Sequence, residues 1–413
     1  MLLCASALLE QIPQASLRTA IFVAALVCYF GMALWDQRAF ARRSALDVLL
    51  IGFLTAVILS GLWAVTASNV AVADAVRGAI PFLFLGLFFL VDRRDPCLIP
   101  KLSIYLARAA TIWIFSILIE GFYLLLVGEF VAAARLTSQI SQSVIPFGLA
   151  VLPFLVIGNV DWSWLRRLAL VVAVFLVALF AGYRSQSILM VFQFAVFFAV
   201  SARDVPRLLT LLAAVMAMGV SAVVVFPDLV NALIDRLSAT NADFESSRLA
   251  EWSYALSQFE QSPVIGMGIG WQVPFEVTFD GSLEQLLSSG MELASTAGYV
   301  HSVSAYFLMD MGLVGFILYF GALTAALWQG VRRTRFYTST HPVSRGALCA
   351  ALSLVTLVLF FQVQASFRLI QSNLLLVCLL LMLSAPTLGV RMRPRLNPRR
   401  GGMVIRCRRN ECT

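Results

Sequence analysis

The sequence predicts an all-α polytopic membrane protein, with about eleven or twelve transmembrane helices and one large loop on the outer face. Three observations predict it. Hydrophobic residues make up 60% of the 413-residue chain and charged ones only 13%, whereas a soluble domain is about half apolar and about a quarter charged. Runs of ~18 or more apolar residues, each enough to cross ~30 Å of hydrocarbon, recur along the chain. Basic residues alternate from one connecting loop to the next. A chain with so little polar surface cannot face water all round, so a soluble multidomain protein is excluded.

Spans fall at roughly 17–35, 46–65, 78–91, 104–127, 144–160, 165–183, 187–201, 206–226, 300–329, 345–363 and 368–385. The third and seventh are short. Loops on one side carry Arg38, Arg42 and Arg43, then Arg93, Arg94 and Lys101, then Arg166 and Arg167. The same side continues with Arg203 and Arg207, with Arg332, Arg333 and Arg335, and with the tail from Arg391. Connections on the other side carry few basic residues. The positive-inside rule therefore puts the tail in the cytoplasm and the low-charge loops outside. This distribution also explains the net charge of +8 without a nucleic-acid partner.

Eleven spans leave the N-terminus outside, and a twelfth would need 1–15 to belong to a further helix. That opening stretch has no basic n-region before its apolar residues. It reads as an interfacial helix or the remainder of a span rather than a cleaved signal peptide. Four parts result: N-terminal transmembrane helices over 1–226, a large outer loop over 227–300, C-terminal transmembrane helices over 301–385 and a basic tail over 386–413.

The outer loop is too long for a mere connection. Between 227 and 299 it holds ten acidic residues and only two basic ones, Arg236 and Arg248. Leu249, Trp252, Leu256 and Phe259 recur at helical spacing, which predicts an amphipathic helix. Asp243, Ser246 and Ser247 are candidate N-caps before it, and Ser262-Pro263 ends it. The loop is expected to be a small folded element resting on the membrane surface. Gly266-Met267-Gly268-Ile269-Gly270 follows a helix rather than a strand and lacks the Lys-Ser/Thr of a P-loop. A tight turn or close backbone approach suits it better than a nucleotide.

Few residues can carry chemistry on the outer face. His301 opens the ninth span there, while His341, the other histidine, lies in a cytoplasmic loop. Imidazole is suited to taking a proton near pH 7. An interfacial histidine bonded to a backbone carbonyl would account for it equally. Arg184 ends the sixth span on this face, and Arg248 begins the loop helix. A snorkelling arginine and an ordinary surface ion pair are the plainer readings of these two. Taken together, two phosphate-recognising forks and one base suggest group transfer from a phosphate-bearing, lipid-held donor.

Glu120 and Asp310 lie within spans, where an ionisable group is costly and is usually paired or functional. Nine residues of helix separate Asp310 from His301, about 13 Å at ~1.5 Å per residue. That is too far for a simple dyad. Glu120 is placed to line a cavity or pair with an arginine such as Arg184. Cys4, Cys28, Cys97, Cys349, Cys378, Cys407 and Cys412 are scattered, with no C-x-x-C pair and only two histidines beside them, so no metal site is expected. Disulfides are not expected either, since the outer loop has no cysteine.

Four motifs in order resemble the bacterial O-antigen ligase/polymerase family. They are Ser247-Arg248-Leu249-Ala250-Glu251-Trp252, Ser262-Pro263-Val264-Ile265-Gly266-Met267-Gly268, Tyr299-Val300-His301-Ser302 and Asp310-Met311-Gly312-Leu313-Val314-Gly315. Arg184 resembles the family's arginine in the short upstream loop. The resemblance covers about 170–325, and the rest by span count. It implies a GT-C-like membrane glycosyltransferase of the inner membrane, active on the periplasmic face, using an undecaprenyl-diphosphate-linked glycan without cofactor or metal. The acceptor would be lipid A–core in a ligase, or a lipid-linked repeat in an O-antigen or exopolysaccharide polymerase. Arg184 and Arg248 would bind the donor diphosphate, and His301 would activate the acceptor hydroxyl with inversion at the anomeric carbon. Where many relatives carry His-Asn, this chain has His301-Ser302. A single large loop in a compact chain leans the reading toward a ligase. A polyprenyl-glycan flippase is the alternative of a different class, and buried charges in several spans or an internal repeat would favour it.

Overall fold

The computed structural model describes residues 44–91, 93, 95, 98–127, 150–155, 169, 173, 242–273, 300–336, 342–362 and 365–385. All its elements there are helical. Helix α1 is Ala45–Thr66 and α2 is Val72–Leu83, which tightens into 3-10 winding over Phe84–Leu90. Helix α3 is Leu98–Leu126, α4 is Ala242–Gln261, α5 is Val303–Phe336, α6 is Pro342–Phe361 and α7 is Ile370–Ser384. A 3-10 turn, Ala365–Arg368, joins α6 to α7.

Three of these stretches are long and apolar enough to cross a membrane, namely Ala45–Thr66, Val72–Leu90 and Val303–Arg332. Arg345–Phe361 and Ser372–Ser384 are shorter apolar helices. The chain is thus an all-helical membrane protein, as its composition predicts. The expected spans at 46–65, 104–127, 345–363 and 368–385 each fall on a helix. The third starts earlier than 78, because Val72 to Leu90 forms one continuous 19-residue apolar stretch. Those at 17–35, 144–160, 165–183, 187–201 and 206–226 lie wholly or largely outside the described residues.

Helix α1 begins with a capping box. The Ser44 hydroxyl accepts from the Asp47 amide at 3.3 Å, and the Asp47 carboxylate accepts from the Ser44 amide at 2.6 Å. These satisfy two of the amides that a helix start leaves orphaned. The second Asp47 oxygen takes a 2.7 Å bond from Arg93, whose guanidinium lies 4.7 Å from the Phe88 ring centre. So the basic loop that holds Arg93 is tied to the start of α1.

Helix α5 is the centre of the bundle, packed most extensively against α1 and also against α4, α6 and α7. It is not one straight rod. Gly312 has φ 60 and ψ −160 inside it, a conformation available to glycine and almost nothing else. In a straight helix Phe307 and Tyr319 would be about 18 Å apart along the axis, yet their ring centres are 4.5 Å apart. The chain turns at Gly312 and brings both rings onto Phe53 of α1, at 5.5 and 5.2 Å. Phe82 of α2 joins them, and Tyr306 meets Phe367 of the 3-10 turn at 5.1 Å. Interlocking rings of this kind supply the van der Waals contact that helix association in lipid depends on. The predicted span at 300–329 is therefore two segments, and 313–332 alone is long enough to cross.

Candidate functional site

Breaking a membrane helix strands backbone groups, and each must find a partner where water is absent. An unbroken α5 would pair the Leu313 amide with the Met309 carbonyl and the Val314 amide with the Asp310 carbonyl. Gly312 separates these pairs, and the segment after α4 takes their place. Met309 and Asp310 carbonyls accept from the Met267 and Gly268 amides at 2.8 and 2.9 Å. Leu313 and Val314 amides donate to the Pro263 and Val264 carbonyls at 2.9 and 3.2 Å. The four backbone groups of these two pairs each make a bond to the turn.

The turn itself needs its glycines. Gly266, Gly268 and Gly270 all have positive φ, and a Cβ on Gly268 would lie 2.5 Å from the Ala64 Cα of α1. Every amide from 266 to 271 is already given to a protein acceptor. Besides those above, Gly266 donates to Ser262, Trp271 to Gly268, Ile269 to the Ser60 hydroxyl at 2.9 Å and Gly270 to the Asp310 carboxyl at 3.2 Å. No amide is left to cradle a phosphate, so the close-approach reading of this run holds. The loop does more than rest on a surface, because its glycine turn is seated between α1 and the break in α5.

That seat sets α4 against the start of α5. The predicted helix from Arg248 is present but begins earlier, at Ala242, so Asp243, Ser246 and Ser247 lie inside it and do not cap it. Its packed face also differs from the apolar stripe the spacing suggested. Leu249 is 71% exposed and Leu256 43%, whereas Ala255 and Glu251 are buried. Glu251 and Ala255 are one helical turn apart and face α5.

Glu251 is buried for a reason. Its side chain is 4% exposed and that of His301 is 28% exposed. One carboxyl oxygen lies 2.8 Å and the other 3.0 Å from His301 Nδ1, and the second also accepts from the His301 amide at 3.1 Å. An ionised carboxylate can only accept, so opposite it Nδ1 carries the ring proton. Nε2 is then the nitrogen left to take one. Beside this pair, the Ser302 hydroxyl donates to Gln362 at the end of α6 at 3.0 Å. Ser302 thus ties the start of α5 to the end of α6.

The other expected site residues fall as follows. Arg184 lies outside the described residues. Arg248 is on α4, three residues before Glu251, and Glu120 is on α3, but their side chains lie outside what is described. Asp310 is wholly buried and does not pair with His301. It accepts from Gly270, and the charge of Arg368 acts on it. Glu251 was not among the expected site residues, nor were Gln362 and Arg368. No apolar periodicity marks Glu251, because a buried carboxylate paired to histidine leaves no stripe.

A family model described as O-Antigen ligase matches residues 168–320, which takes in Arg184, the whole of α4, the glycine turn, His301 and the break at Gly312. No curated protein matches the chain. Over this segment the chain is similar to O-antigen ligases, in line with the resemblance of its four motifs.

Proposed function

We propose that the chain is a membrane glycosyltransferase of the ligase type, moving a glycan from an undecaprenyl-diphosphate donor to an acceptor at the periplasmic face of the inner membrane. The observation that carries this reading is the pair of a partly exposed His301 and a buried Glu251 at the start of a membrane helix, inside the segment matched to O-antigen ligases. An acceptor hydroxyl attacks the anomeric carbon while its proton passes to Nε2 of His301. The bond from that carbon to the diphosphate oxygen breaks, and undecaprenyl diphosphate leaves with the electron pair. Attack opposite the leaving group inverts the anomeric configuration. Glu251 holds the imidazole in the required tautomer and stabilises the imidazolium that forms, the part a carboxylate plays beside a catalytic histidine. Arg184 and Arg248 take the diphosphate in this reading, by resemblance, and stabilise its charge as it departs.

The test uses the purified chain in proteoliposomes with lipid-linked glycan and a lipid A–core acceptor. His301→Ala is expected to lower transfer by about 100- to 10,000-fold, the usual worth of a general base, with donor binding kept. Arg184→Ala and Arg248→Ala are expected to weaken donor binding instead. Wild-type transfer by all three variants would refute these roles. In cells, loss of the chain should leave bare core with lipid-linked polymer accumulating. Core capped by single repeats would identify a polymerase, and donor trapped on the cytoplasmic leaflet a flippase.

A further inference from the structure

The glycine turn needs only backbone bonds to repair the break in α5, yet a carboxyl group sits in the middle of it. Asp310 is wholly buried, where an ionisable side chain is costly unless it does something. Its Oδ2 accepts from Gly270, and its backbone carbonyl takes both the Gly268 amide and the Ser60 hydroxyl, the last at 3.1 Å. Ser60 in turn accepts from Ile269. The Arg368 guanidinium lies 5.5 Å from the Tyr306 ring centre, and its charge acts on the Asp310 carboxyl group. Arg368 belongs to the turn after Gln362, which bonds Ser302 next to His301.

Asp310 therefore bonds directly to the glycine turn and to α1. The charge of Arg368 reaches it from a third chain segment around the His301–Glu251 pair, the turn between α6 and α7. We propose that Asp310 is a positioning residue for that pair: it sets how the glycine turn seats in the α5 break, and so where α4 holds Glu251 against His301. The lever is short and stiff. Helix α4 runs unbroken to Gln261, and the Gly266 amide closes on Ser262 at 2.9 Å, so turn and helix shift together. A shift of about 1 Å would stretch the 2.8 Å contact between His301 and Glu251 beyond hydrogen-bond reach. Misplacements of that size cost on the order of 100-fold in rate.

This inference rests on the proposed role of the pair in glycan transfer. The experiment measures kcat and donor KM per folded enzyme, in proteoliposomes, for the wild-type chain, Asp310→Ala and Ser60→Ala, each with and without Glu251→Gln. Ser60→Ala loosens the same turn with a milder change and decides the matter if Asp310→Ala does not fold. In either loosened background kcat should fall about tenfold or more, with donor KM changed less than about twofold. Glu251→Gln should then cost less than about twofold further, because Glu251 is already displaced. An equal cost of Glu251→Gln in every background overturns the positioning role, since a purely structural residue would lower the folded amount and leave that cost unchanged. If Glu251→Gln costs nothing in the wild-type chain, the role of the pair itself falls, and the positioning role with it.

Discussion

Glu251 occupies a place where a helix usually puts a leucine. Among the described side chains of α4 the buried ones are Glu251 and Ala255, while Leu249 is 71% exposed. The carboxylate is buried because His301 gives it two donors, the ring N–H and the backbone N–H. Burial without them would be prohibitive. Glu251→Gln is nearly isosteric, and an amide in its place can donate to Nδ1 as well as accept. The imidazole then has no fixed tautomer, and the fraction with a basic Nε2 drops. Transfer should fall by about tenfold or more, with donor binding unchanged. Donor titration beside single-turnover rates checks this, and an unchanged rate would remove Glu251 from the chemistry. His301 stands out in the sequence as a candidate because histidine is rare in this chain and sits at a helix start. Glu251 does not, because periodicity finds apolar stripes and a paired carboxylate leaves none.

At the scale of elements, the reading by composition did well and the reading by straight helices did less well. Apolar length found α1, α3, α6 and α7 within a few residues. Hydropathy cannot see a break whose cause is a backbone conformation and whose repair comes from about fifty residues away. Gly312 reads as an ordinary glycine in an apolar run, and the Gly266–Gly270 series as a turn. Only together do they show a broken helix with its four stranded groups re-bonded. Gly312→Ala puts a Cβ 2.5 Å from the Val264 carbonyl oxygen, in a conformation that costs a non-glycine residue about 1–3 kcal/mol before any clash. Its gain in helix propensity, about 1 kcal/mol, would favour an unbroken α5 that expels the turn. We expect lower thermal stability in detergent together with loss of transfer. An unfolding midpoint and a rate equal to wild type would show that the break is dispensable.

Across the whole molecule, α1 connects two ends with different tasks. Ala64, near its C-terminus, packs on Gly268 of the site. Asp47 is 17 residues earlier, about 25 Å away along the axis, and pairs with Arg93 in the basic loop after α2. This ion pair is largely buried, with side chains 16% and 3% exposed, whereas Lys101–Asp95 is open at 55% and 38%. Breaking a buried pair from one side leaves a charge without its partner and typically costs about 3–5 kcal/mol, while an exposed pair contributes about 0–1 kcal/mol. Arg93→Met should therefore lower the unfolding midpoint clearly, and Lys101→Met scarcely at all. Because Arg93 is so far from the glycine turn, the Arg93→Met protein that does fold should keep wild-type kcat and donor KM. It should also keep the full cost of Glu251→Gln, unlike Asp310→Ala. If Arg93→Met instead lowered kcat as Asp310→Ala does, sensitivity to the seating of the turn would be a property of the whole bundle rather than of the segments that meet at Asp310.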